Sequence, residues 1–183
     1  PGGGMIFFSR KIDKLNIKSE NQFFLGKLWY GIHWPKYVEQ KSKFYLNKYL
    51  SKKNNFNSNP FILYILGYMG KVEWVESENT FKEKFKETLS IFEKSAPKIP
   101  IIIRPHFNTD LNFVLKELKK FSNLNWEISF LHPSVLLTKS MICVGNYYST
   151  VMGVAKSYNI PIVEFSQYCD EALEITQHKG MRP

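Results

Sequence analysis

The sequence predicts an α/β fold: a Rossmann-like parallel sheet flanked by helices, preceded by a basic helical amino-terminal segment. Three observations predict it. From residue 60 onward, short apolar runs alternate with amphipathic stretches, the pattern of strands joined by crossover helices. The first run, FILYILGY, is continuously apolar up to its glycine, as suits a strand covered on both faces. Charge also divides the chain. Residues 1–55 hold 11 Lys+Arg against 3 Asp+Glu, a balance of +8, and the remainder holds 14 against 13, a balance of +1.

Met5 to Phe8 reads as a short strand. HWPKYVEQKSKFYLNKYL reads as a helix with Trp34, Val38, Tyr45 and Tyr49 near one face. The polar stretch SKKNNFNSNP ends in Pro60 and marks a boundary between segment 1–55 and a domain over 56–183. A buried strand is expected near 61–66. TFKEKFKETLSIFEKSA follows as a helix, with Phe81, Phe85, Leu89 and Phe92 inward and Thr80 and Glu83 spaced as a capping box. IPIIIRP predicts a strand near 100–104. TDLNFVLKELKKF predicts a helix burying Leu111, Val114, Leu115, Leu118 and Phe121. NWEISF is a strand near 126–130, HPSVLLTKS a short helix or turn, and MICVGNY a strand near 141–145. STVMGVAKSYN is a helix with Val151, Val154, Ala155 and Tyr158 inward, and IPIVEF is a strand near 161–165.

Bulk composition narrows the class. With 183 residues and 44% apolar content, the chain can bury a core and is not globally disordered. No run approaches the ~20 apolar residues of a membrane span. No signal-peptide pattern opens the chain. The opening PGGG has no initiator Met, as expected of a cloning remnant or of a chain cut from a longer one. Cys143 and Cys169 are too far apart for a zinc pair or a disulfide scaffold and fit a reducing cytosol. The basic, aromatic segment 1–55 suits an anionic membrane, an anionic polymer or nucleic acid. The competing account is an ordinary helix with a solvated lysine face.

In a parallel sheet of this kind, ligands bind beyond the carboxyl ends of the strands. That rule gathers the chemistry-bearing residues on one edge. Gly67 and Gly70 follow the first strand of the sheet, Arg104 to His106 the second, His132 and Pro133 the third. Gly145 to Thr150 follow the fourth, and Glu164 ends the fifth. In GNYYST, Ser149 and Thr150 open a helix, where free N–H groups and the dipole favour a phosphate; Ser149 as a plain N-cap needs no ligand. Arg104 and His106 can face the same anion, or Arg104 can serve a structural ion pair. His132 reads best as the entry to a turn. There is no G-x-G-x-x-G after a strand, no P-loop and no G-x-S-x-G elbow, which argues against an NAD enzyme, a standard NTPase and a serine hydrolase. The four histidines are not at metal-ligand spacing.

The ordered set FILYILGY, RPH, NYYST and IPIVEF, over about residues 60–168, resembles the carboxy-terminal donor-binding domain of GT-B glycosyltransferases. It looks closest to bacterial enzymes of capsule and lipopolysaccharide synthesis, among them CMP-sugar-using sialyltransferases and Kdo transferases. The resemblance implies one half of a GT-B fold. It implies nucleotide contacts from His106, Ser149 and Thr150; the sheet-edge rule adds Arg104, Gly67, Tyr148 and Glu164 to the same nucleotide site. One departure is Phe107, where proline is usual, and it leaves the donor nucleotide open between CMP- and UDP-linked sugars. The resemblance further implies a polysaccharide or lipid-linked acceptor and a second Rossmann-like domain. Residues 1–55 are too few for that domain, so a fragment or a partner is expected. No metal or cofactor beyond the nucleotide-sugar is expected, nor nucleic acid. The expected location is the cytoplasm, at the inner face of the cell membrane. The rival expectations are a polyol-phosphate transferase of the teichoic-acid type and a non-enzymatic module binding an anionic glycan or nucleic acid through residues 1–55.

Overall fold

The computed structural model describes residues 5–7, 22–24, 33–51, 56, 59–67, 78–147, 149–166, 168 and 170. In chain order these form β1 (Met5–Phe7), β2 (Gln22–Phe24), α1 (His33–Tyr49), β3 (Phe61–Ile65), α2 (Glu78–Ser95), β4 (Ile101–Arg104), α3 (Leu111–Leu118), β5 (Trp126–Ile128), α4 (Pro133–Leu137), β6 (Ser140–Gly145), α5 (Thr150–Ser157) and β7 (Ile162–Glu164). Strands β1 and β2 make a separate parallel pair. The sequence pattern shows β1 but not β2, which is only three residues long.

Strands β3 to β7 form one sheet in the order β5-β4-β3-β6-β7, and every neighbouring pair is parallel. This is an α/β, Rossmann-like arrangement, as the alternating pattern predicts. The chain steps outward from β3 through β4 to β5, then crosses back to β6 and steps outward again to β7. Right-handed crossovers made in opposite directions place their helices on opposite faces of the sheet. Accordingly, α2 and α3 share one core with the even residues of β3, Ile62 and Tyr64. Helices α1, α4 and α5 share the other core with Phe61, Leu63 and Ile65. All five residues of β3 are buried, so its unbroken apolar run is required by a central position. Phe81, Phe85, Leu89 and Phe92 of α2 are all buried in the first core; each such side chain contributes about 1.5–3 kcal/mol.

Several local expectations are corrected. Helix α2 begins at Glu78, so Thr80 lies within its first turn and is not the N-cap. On α3, Leu115 is exposed, while Phe113 packs at the first core, its ring 5.9 Å from that of Phe85. Asp110 caps α3 by accepting from the Phe113 N–H at 3.1 Å. The run IPIVEF suggests a covered strand, yet Ile162, Val163 and Glu164 are all exposed. Strand β7 is the outermost of the sheet, with β6 as its single neighbour, and no described helix buries it.

Helix α1 departs most from its predicted face. Its buried residues are Val38, Ser42 and Leu46, and Leu50 continues the same four-residue rhythm. Tyr45 and Tyr49 point outward instead. Two polar contacts hold the helix, one to α4 and one to β5. Trp34 Nε1 donates to Ser134 Oγ at 3.1 Å, and the Ser51 N–H donates to the Glu127 carboxylate at 3.0 and 3.1 Å. Burial pushes the Glu127 carboxyl up, and the Ser51 N–H opposes this. Among the described residues, no helix is long and apolar enough to cross a membrane.

Because Leu46 and Leu50 share a core with β3, Leu46→Ala is expected to cost about 3 kcal/mol. Denaturant unfolding followed on the sheet, through the NMR signals of the β3 amides, checks this. An unmoved transition would mean that α1 is energetically separate.

Candidate functional site

The strand order reverses between β3 and β6, so the ligand crevice of this fold class lies over their carboxyl ends. On the β4 side it is bordered by Arg104, Pro105 and His106. On the β6 side it is bordered by Gly145, Asn146, Tyr147 and the start of α5. Strand β3 lies between β4 and β6, so the two borders stand about 10 Å apart, two strand spacings. Ladder bonds hold both borders in place past the strand ends. The Leu66 N–H donates to the Arg104 carbonyl at 3.0 Å, and the Phe165 N–H to the Gly145 carbonyl at 2.9 Å.

The β4 border is cationic. Arg104 is half-buried; its Nη1 donates to the Pro105 carbonyl at 2.7 Å, and its buried Nε has no partner. No ion pair to Arg104 exists among the described residues, so the alternative of a structural ion pair is not realised there. Desolvation holds its pKa below the usual guanidinium value. His106 and His132 are both held below the ordinary imidazole value, first by burial and then by repulsion from Arg104. The two rings are engaged alike. His106 Nδ1 accepts from the Asn108 N–H at 3.3 Å, and His132 Nδ1 accepts from the Ser134 N–H at 3.2 Å. Each ring, neutral and with Nδ1 accepting, carries its proton on Nε2. His132 is also the N-cap of α4, the structural expression of its turn-entry reading. The Phe107 ring lies 4.2 Å from that of His106, tilted by 37°, and the residue is 83% exposed.

The β6 border ends in a helix amino terminus. Ser149 is the N-cap of α5, and its hydroxyl accepts from the Val151 N–H at 3.3 Å. Its carbonyl accepts from the Met152 N–H at 2.9 Å. Thr150 is exposed as the first residue of the helix, and the first turn carries no acidic residue. The positive end of the dipole is therefore not offset within that turn. Gly145 lets the strand end approach α5: a Cβ there would come within 2.5 Å of the Met152 methyl.

Between the borders lies a residue whose role the sequence pattern does not show. Asn146 is fully buried. The Tyr64 hydroxyl of β3 donates to its Oδ1. Its Nδ2 donates to Thr88 Oγ1 at 2.8 Å and to the Phe165 carbonyl at 3.1 Å. Thr88 passes the chain on, donating to the Lys84 carbonyl at 2.7 Å. Burial pushes the Tyr64 hydroxyl far up, opposed by Thr88 and Asn146, so it stays protonated. Next to this network, Tyr147 stacks on Phe81 at 5.4 Å and meets Tyr168 edge-on at 5.5 Å. Gly67 lies against the same Phe81 ring, where a Cβ would sit 3.4 Å away. The only sequence signal for Asn146 is a small polar residue directly after a strand.

The remaining expected site residues fall as follows. Glu164 is on the same sheet edge but on β7, one strand beyond β6. Its carboxylate accepts from Ser166 Oγ at 2.7 Å and from the Tyr168 hydroxyl at 2.6 Å. Tyr148, Gly70 and Cys169 lie outside the described residues. Among the described residues, no group of three or more His, Cys, Asp or Glu side chains is arranged to hold a metal ion. No protein-family model matches the chain, and no curated protein matches it.

Two outcomes are expected. Asn146→Ala strands the Tyr64 hydroxyl and the Phe165 carbonyl, and should destabilise the domain by about 3 kcal/mol, with Tyr64→Phe costing less; chemical denaturation of both variants checks this. Arg104→Gln removes the charge that opposes protonation of His106 and His132, so both imidazoles should titrate at higher pH. NMR titration of the ring carbon protons reads the shift, and two unmoved midpoints would count against the Arg104 coupling.

Proposed function

We propose that this domain binds the nucleotide of a nucleotide-sugar, as the donor half of a glycosyltransferase. One observation carries the reading. The crevice at the strand-order reversal is bordered on one side by a half-buried guanidinium with no ion-pair partner among the described residues. On the other side it is bordered by a helix amino terminus with no acid in its first turn. Both features favour an anion, and the about 10 Å between them suits a phosphate at one border with the rest of a nucleotide reaching the other.

In this reading the bond between the anomeric carbon and the leaving phosphate oxygen breaks as the acceptor hydroxyl attacks. Negative charge then grows on the departing phosphate. With the phosphate at the β4 border, Arg104 and the Nε2–H groups of His106 and His132 are the donors that stabilise it, the electrostatic share of such catalysis. The polysaccharide or lipid-linked acceptor, a bacterial surface glycan, is supported by the motif resemblance alone.

Calorimetry with CMP and UDP tests the binding. His106→Ala should weaken the better-bound nucleotide by about 1–3 kcal/mol through loss of a hydrogen bond to a charged group. Unchanged affinity would overturn the assignment of His106. For the transfer itself, a product joined by a phosphodiester in place of a glycosidic bond would assign a polyol-phosphate transferase.

A further inference from the structure

Donor binding at the sheet edge leaves the basic, aromatic helix α1 unused. Its inward stripe is Val38, Ser42, Leu46 and then Leu50. At the helical increment, Tyr37, Lys41, Phe44, Tyr45 and Lys48 fall within an arc of about 100° outside that stripe. The large side chains there are bare: Tyr37 is 55% exposed, Phe44 62%, Tyr45 41% and the adjoining Tyr49 55%. They form one patch. The Phe44 and Tyr45 rings meet edge-on at 5.3 Å, and Tyr45 stacks with Tyr49 at 6.4 Å. Lys48 Nζ sits between two of them, 5.6 Å from the Phe44 ring centre and 5.1 Å from that of Tyr49. The core does not call for these rings, and a contiguous exposed apolar patch marks a docking surface.

Charge and shape select the occupant. Helix α1 carries Lys36, Lys41, Lys43 and Lys48 against Glu39, so the patch seeks an anionic surface. A second copy docked through the same stripe would set lysines against lysines, because a two-fold interface repeats one patch on both sides. Single-stranded nucleic acid is held in grooves whose rings are spaced to take successive bases; here the rings touch one another on a convex helix face. Tyrosine rings with polar tips beside Phe44, among lysine ammoniums, match the headgroup layer of an anionic bilayer.

We propose that this face of α1 docks on an anionic lipid surface, with Phe44, Tyr45 and Tyr49 in the headgroup layer and Lys41 and Lys48 on lipid phosphates. The docking also orients the sheet. The Trp34 indole at the start of α1 donates to Ser134 Oγ at 3.1 Å, two residues beyond His132 at the carboxyl edge. The start of α1, and a membrane docked on this helix, would therefore lie toward that edge of the sheet, on the side of α4.

Sedimentation with vesicles of phosphatidylcholine, alone or mixed with phosphatidylglycerol, tests this without reference to nucleotide binding. The protein should bind the mixed vesicles at low salt, ignore the neutral ones and be released by salt. Exchanging both Lys41 and Lys48 for Glu should weaken partitioning by at least about tenfold, given the roughly fivefold that one lysine supplies near such a surface. Phe44→Ser with Tyr49→Ser should weaken it by about tenfold through lost apolar burial. All four side chains are outside the cores, so circular dichroism melting and nucleotide affinity should be unchanged in both variants. Failure to bind mixed vesicles at low salt overturns the proposal, as does binding that survives both double exchanges. A dimer abolished by Phe44→Ser would assign the patch to a second copy. Oligonucleotide binding lost in the same variant would assign it to nucleic acid, and either result overturns the lipid assignment.

Discussion

The crest of the sheet depends on one buried amide. Asn146 sits at the reversal of strand order, directly after β6. Its side chain gathers the Tyr64 hydroxyl, the Thr88 hydroxyl and the Phe165 carbonyl, and so joins β3, α2, the end of β6 and the end of β7. Burying an amide is costly unless its donors and acceptor are satisfied, and here both ends are engaged. The result is directional in a way that apolar packing is not.

Around that fixed crest, the two borders of the crevice have different electrostatic origins. The β6 border relies on the amino-terminal end of the α5 dipole, with no acidic residue in its first turn. The β4 border relies on side chains, with Arg104 lacking a carboxylate partner among the described residues and two histidines sharing its field. Desolvation holds all three below their ordinary values, and the Arg104 charge lowers both histidines further. A bound anion would oppose both effects.

Helix α1 shows how one element can serve two surfaces. The four-residue rhythm of Val38, Ser42, Leu46 and Leu50 seals the second face of the sheet. The opposite flank keeps its rings and lysines in water. Its polar anchors, Trp34 on Ser134 and Ser51 on Glu127, hold the helix at both ends, so the exposed stripe has a defined orientation relative to the sheet edge.

By itself, the sequence determined the elements of the sheet, their parallel class and the edge on which the chemistry-bearing residues gather. These follow from local signals: continuous apolar runs for the strands, a period near four residues for Phe81, Phe85, Leu89 and Phe92, and glycine, charged or polar residues at or near the strand ends. Only the tertiary structure decided which amphipathic face of α1 turns inward, because tyrosine suits either side of a helix until a neighbour is known. The same holds for Leu115, exposed while Phe113 packs, and for β7, whose apolar residues look buried until its place at the sheet edge is seen. Asn146 is the clearest case. Its partner Tyr64 lies 82 residues away, and no local pattern records a hydrogen bond that forms only when β3 and β6 become neighbours.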